Sequence, residues 1–134
     1  MATTYKVRYK NHCTPQEQIT SGGRWYLDSD CGRKLTGDAE TSATLSGSGT
    51  YDNYQAISAT AYPTTALTGK DFAYVKNIGA TDGTTEDVLI TLDGSNYLIL
   101  LSLGESFASE ISTSAQLQVK TASGTSAIEY FVET

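Results

Sequence analysis

The sequence predicts an all-β fold, with short strands arranged as a sandwich or small barrel. Three observations predict it. Val88, Ile90 and Leu92 alternate with Leu89, Thr91 and Asp93, a period of two that suits a half-buried strand. Asp93-Gly94 follows, and this pair tolerates the positive backbone angles of a tight hairpin turn; Tyr97, Ile99, Leu101 and Leu103 then run back along the partner strand. Composition is the third observation. Charged residues make up only 18% of the chain while Thr, Ser, Ala and Gly are abundant, which favours strands and turns over long helices.

The remaining elements follow in order. Tyr5, Val7 and Tyr9 alternate with Lys6, Arg8 and Lys10, the pattern of an edge-capable first strand with a solvated basic face. Periodicity fades from Asn11 to Gly49, where Pro15, Gly22-Gly23 and Gly37-Asp38 punctuate the chain. Gly23 to Leu27 forms a short strand inside this stretch and holds the single tryptophan, Trp25. Residues 1–50 therefore read as an irregular N-terminal arm with loops, and Leu45 to Thr50 as linker-like. Tyr54 to Thr60 is a weak strand, after which Pro63 breaks pairing. Phe72 to Ile78 offers two faces, Phe72 with Tyr74 or Ala73 with Val75, and its pattern does not choose between them. Ala108 to Ala115 reads as a loop or one helical turn. Leu117, Val119 and Thr121 alternate again, Ser123-Gly124 turns, and Ile128, Tyr130 and Val132 face inward against outward Glu129 and Glu133. The 134 residues fit a single domain, with the main strands over 51–134.

Charge and segment composition exclude several functions. A net charge of −6 leaves no basic stripe to displace phosphate counterions, so no nucleic-acid partner is expected. The opening MATTYKVRYK lacks the apolar core of a secretory signal, and YLILLSL is too short to cross a bilayer as a helix. Neither export by a standard signal nor a membrane partner is expected. Cys13 and Cys31 are the two cysteines. They read as packed free thiols in a chain made in the cytoplasm, or as a bridge in a particle that ends outside the cell.

Candidate chemistry is thin. Gly104-Glu105-Ser106-Phe107-Ala108 approximates the nucleophile-elbow pattern, which needs a strand-to-helix turn and a histidine base. His12, the one histidine, lies upstream against the chain order of that hydrolase class, so the segment reads as an acidic turn closing a strand. His12, Cys13 and Cys31 supply at most three soft ligands where a structural zinc usually takes four. Asp28 to Gly32 lacks the distal glutamate of a calcium loop. Asp82, Glu86 and Asp87 form a second acidic loop, and both loops read as solvated turns. No catalytic residue, metal or cofactor is assigned. The nine tyrosines stand out more, because their rings fit pleated surfaces and interfaces alike.

Beyond these patterns, the second half resembles the small β-sandwich structural proteins of tailed bacteriophages. The resemblance spans residues 70–134 and rests on Val75-Lys76-Asn77-Ile78-Gly79, the strand Val88 to Leu92, Asp93-Gly94-Ser95, Leu101 to Phe107, and Ser123-Gly124-Thr125 leading to Ile128-Glu129-Tyr130. It implies an antiparallel, jelly-roll-like β-sandwich that is not an enzyme. It also implies a virion component assembled in the host cytoplasm, working as a homo-oligomer against the major capsid protein or other virion proteins. The expected role is a capsid cement or decoration protein. The alternatives are a neck, tail or fibre-attachment protein, and a carbohydrate-binding sandwich module. Tyr5, Tyr9, Trp25 and Tyr26 in the N-terminal half are the expected partner contacts.

Overall fold

The structure, a computed structural model, describes the backbone of residues 4–12, 17–21, 24–28, 38–45 and 47–133, and the side chains of 4–11, 40–45 and 47–133. Among the described residues there are twelve strands and no helix. They are β1 (Tyr5–His12), β2 (Glu17–Ser21), β3 (Arg24–Asp28), β4 (Asp38–Leu45), β5 (Gly49–Ile57) and β6 (Tyr62–Thr68). The chain continues with β7 (Phe72–Asn77), β8 (Val88–Thr91), β9 (Tyr97–Leu101), β10 (Ser106–Glu110), β11 (Gln116–Thr121) and β12 (Ser126–Glu133).

The chain divides into two compact units, Arg8–Ser42 and a larger one of Met1–Val7 with Ala43–Thr134. In the smaller unit β2 and β3 form an antiparallel hairpin with Ile19 opposite Tyr26 and Thr20 opposite Trp25. Arg8 and Glu40 form an ion pair there between exposed side chains, a contact that contributes little in water. β1 pairs with β4. The stretch expected to be irregular thus carries strands, including the two foreseen at Thr4 to Tyr9 and Gly23 to Leu27. Cys13 and Cys31 lie outside the described residues, as does most of the Asp28 to Gly32 loop.

The larger unit is a jelly-roll sandwich. One sheet runs β10-β7-β12-β5 and the other β6-β11-β8-β9. The pairs β5–β12, β6–β11, β7–β10 and β8–β9 are the rungs of one long hairpin folded at β8–β9. Wrapping that hairpin around a barrel axis gives this strand order. Every ladder between these strands is antiparallel. The core lies between the sheets, with Ile57, Ala73, Val75, Ile128, Tyr130 and Val132 from one and Val88, Ile90, Leu101, Leu117 and Val119 from the other. Packing in this core therefore makes Ala73 and Val75 the inner face of β7, although Phe72 on the other face is equally buried. Across the core Tyr62 and Tyr130 meet hydroxyl to hydroxyl at 3.0 Å, so each satisfies the polar end of the other.

Several local expectations change. Pro63 does not end pairing; it sits second in β6, an edge strand where its missing N–H costs no ladder bond. Ala108 to Ala115 is not all loop, because β10 runs to Glu110 before a turn closed by Ala115 N–H to the Ser112 carbonyl. Ile90 faces Ile99 while Thr91 faces Tyr97, so Leu98 is an extra residue in β9. This bulge turns Tyr97 to the outer face, where the Lys120 ammonium stands 4.3 Å from its ring centre. Ile99 and Leu101 stay inward, whereas Leu103 is exposed in the next turn. Glu133 lies on the outward side of β12 as expected, yet it is buried there and accepts the Asp71 N–H at 3.1 Å.

Candidate functional site

Period-two alternation sends Glu129, Phe131 and Glu133 of β12 to the outer face of its sheet. Phe131 lies opposite Tyr51 of β5 and Tyr74 of β7, which makes an aromatic row across three neighbouring strands. Phe72 extends it, with its ring centre 6.3 Å from that of Phe131 at a tilt of 55°. Gly49 makes room for this arrangement. A Cβ there would stand 2.1 Å from two Phe131 ring atoms, so any larger residue would push the ring away. Tyr74 donates its hydroxyl to Glu129 Oε1 at 2.7 Å. Burial first, then the Glu129 carboxylate, pushes the Tyr74 phenol up to about 12. Tyr51 is 61% exposed and is the accessible end of the row.

A groove of about 600 Å³ runs beside β10. Leu92, Phe107 and Ile111 give it apolar walls, and Asp93, Glu110, Ser109, Ser112 and Ser114 line it with oxygens. The Asp93 carboxylate is already engaged. Its Oδ1 accepts from Ser95 N–H at 2.8 Å, Asn96 N–H at 2.7 Å and Thr91 Oγ1 at 2.8 Å, and its Oδ2 accepts from the Asn96 side chain. These donors hold its pKa well below the usual carboxylate range. A second concavity, of about 360 Å³, contains Tyr54, Thr81 and Asp82. Asp82 Oδ1 accepts from both the N–H and the hydroxyl of Thr84. Within the second acidic loop the Asp82 carboxylate is therefore held by its own neighbour Thr84.

The sequence-predicted contact residues are placed only in part. Tyr5 is 45% exposed on β1, and Tyr9 is half-buried on the same strand. Trp25 and Tyr26 are neighbours on β3, and their side chains lie outside the described residues. Ser106, the serine of the elbow-like pattern, opens strand β10 where an elbow needs a helix. Glu105 closes that turn by accepting the Ser102 N–H at 2.9 Å.

No protein family, curated protein or solved structure matches the chain.

The aromatic row escaped the sequence reading, although one signal for it was present. Phe131 shares the outward register of Glu129 and Glu133, and a phenylalanine set among outward acids marks an apolar place on that face.

Proposed function

We infer that the chain is a non-enzymatic virion structural protein, a cement or decoration subunit that stabilises a phage head. The wrapped order β10-β7-β12-β5 over β6-β11-β8-β9 is the observation that carries this reading, since viral capsid domains and lectins recur on this architecture. The surface supports it further. Tyr51 and Phe131 offer an aromatic contact face, and Tyr5 stands exposed on β1. We assign docking on the capsid to Tyr5, Tyr9, Trp25 and Tyr26, with the major capsid protein as partner. The mechanism is mechanical: a rigid sandwich bridges neighbouring shell subunits and opposes pressure from packaged DNA.

The test is retention of the purified full chain on expanded capsid shells that lack it, read by co-sedimentation. Retention that weakens on Tyr5→Ala is expected, and no retention overturns the cement role. Copy number in purified particles separates the neighbouring readings. A number matching the capsid lattice places the protein on the shell, and one matching a single vertex or tail ring moves it to the neck or tail. A sugar-binding module is favoured by the groove that sets Phe107 beside Glu110 and three serines. Absence from particles together with glycan-array binding would select it.

A further inference from the structure

A jelly roll has four sheet edges, and they differ here. β6 carries Pro63, β5 carries Asp52, and β10 ends in Glu110. Prolines and charges at these positions discourage another strand from pairing. β9 has neither. Its sequence is Tyr97-Leu98-Ile99-Leu100-Leu101, and residues 94–104 contain no charge in a chain of net charge −6. Leu98 is 86% exposed, while Leu100 and Leu103 are each 53% exposed. β9 and the turn after it thus present three of the large apolar side chains left in water among the described residues, at a sheet edge that no described strand pairs.

We propose that β9 pairs antiparallel with β9 of a second copy of this chain about a two-fold axis, joining two four-stranded sheets into one continuous sheet. Two features select a second copy as the occupant. The first is charge. Copies that each carry −6 repel, and this uncharged edge lets them approach without setting acid against acid. The second is self-complementarity, which a two-fold contact requires. Leu98 lines a hollow of about 280 Å³ together with Ile90, Leu92, Asp93, Asn96 and Ile99. The Asp93 carboxylate there is bonded to Thr91, Ser95 and Asn96, so each copy has a leucine to insert and a largely apolar recess to receive one. A strand of five residues is about 17 Å long. The contact therefore falls in the small class, below about 1,200 Å² in total, and association is concentration-dependent in the micromolar range. The proposal deepens the reading above, on which the choice of a like partner partly rests.

Sedimentation velocity of the full chain over a concentration series, without shells, tests it. The expected result is a monomer–dimer equilibrium weakened about 30-fold or more by Leu98→Lys, as for a buried anchor residue. Leu100→Lys should act in the same direction, and Tyr51→Lys on the other sheet should leave association unchanged. Hydrogen exchange should show the amides of 97–101 more protected at high concentration than at low. Leu98 is almost fully exposed, so its replacement spares the fold, and an unchanged melting temperature verifies this. A monomer at every concentration overturns the proposal, as does a dimer that survives both leucine changes or is lost equally in Tyr51→Lys. Retention on shells by the Leu98→Lys variant would leave the cement role standing even where the β9 contact fails.

Discussion

Asn77 is the buried polar residue on which most chain segments converge. It is fully buried, and its amide nitrogen donates to the carbonyls of Glu86 and Leu101, each at 3.0 Å. Its amide oxygen accepts from Gly79 N–H at 3.2 Å and Ser126 Oγ at 2.7 Å. One side chain thereby ties β7 to β9, to β12 and to the 78–87 loop. Its main chain adds two bonds across the β9–β10 turn, to the Glu105 carbonyl and from the Gly104 N–H. A buried group left without its partner loses its full hydration energy, which exceeds the gain from any single bond made. Asn77→Ala should therefore destabilise by about 3 kcal/mol, a large fraction of a domain's total stability. Asn77→Leu restores the volume but leaves the same carbonyls unpaired, and should cost as much. Urea unfolding of the two variants checks this. If Asn77→Leu recovers most of the loss, the residue acts by filling space and the network is incidental.

Among the elements, β12 is held on both faces. Inward it supplies Ile128, Tyr130 and Val132. Outward, Glu129 is held by Tyr74, Phe131 packs on Phe72, and Glu133 accepts the Asp71 N–H, so each outward side chain is tied to β7 or its lead-in. The Tyr74 bond has a pH consequence. Its phenol titrates at about 12 in the fold, against an ordinary value of 10.0. Below the ordinary value both states keep the proton and the fold has its full stability. Above it the unfolded chain releases the proton first, so stability falls between 10 and about 12 as pH rises. Tyr74→Phe should flatten that decline in alkaline urea melts. Tyr130, raised by burial and by its Tyr62 bond, continues to contribute. An unchanged slope would mean that neither burial nor Glu129 raises the Tyr74 phenol in the fold.

The same elements show what the sequence made legible. The β8–β9 hairpin could be read because its partners are adjacent in the chain and Val88 and Ile90 are fully buried on one face. β6 and β10 could not, because neither has a fully buried position to impose an apolar pattern. Half-exposed positions in TTALT and SFASE need no apolar alternation. The bulge at Leu98 leaves no local mark, so period two alone would group Tyr97 with Ile99 and Leu101 on one face. The Tyr51–Phe131–Tyr74 row depends on a register between distant strands, which no window of sequence contains. The alternation of β1 sets Tyr5 opposite the solvated basic face, so its 45% exposure was not legible from that strand alone.

For the whole molecule, the wrap dictates an order of events. β8 and β9 close a short turn, whereas β5 meets β12 only by pairing Ile57 with Ser126, about half the chain away. Loop closure must be met before distant contacts return any energy, so long-range pairing is slow and late. A hairpin that zips from β8–β9 through β7–β10 and β6–β11 to β5–β12 closes one short gap at each step. Starting at β5–β12 closes the largest gap first with nothing to hold it. Val88 and Val132 test the direction, being the same residue type, both fully buried, at the two ends of the zipper. Val88→Ala should slow folding, with a φ-value of about 0.5 or more, while Val132→Ala should mainly speed unfolding, at about 0.3 or less. The distinction bears on the proposed shell role. A component that must survive on a pressurised particle depends on its unfolding rate, and contacts formed after the transition state govern that rate. The closing pair β5–β12, with Phe131 laid over Gly49, would then be the lock of the molecule. Equal φ-values at the two valines, or the reverse order, would place that pair in the nucleus and move the lock to the β8–β9 end.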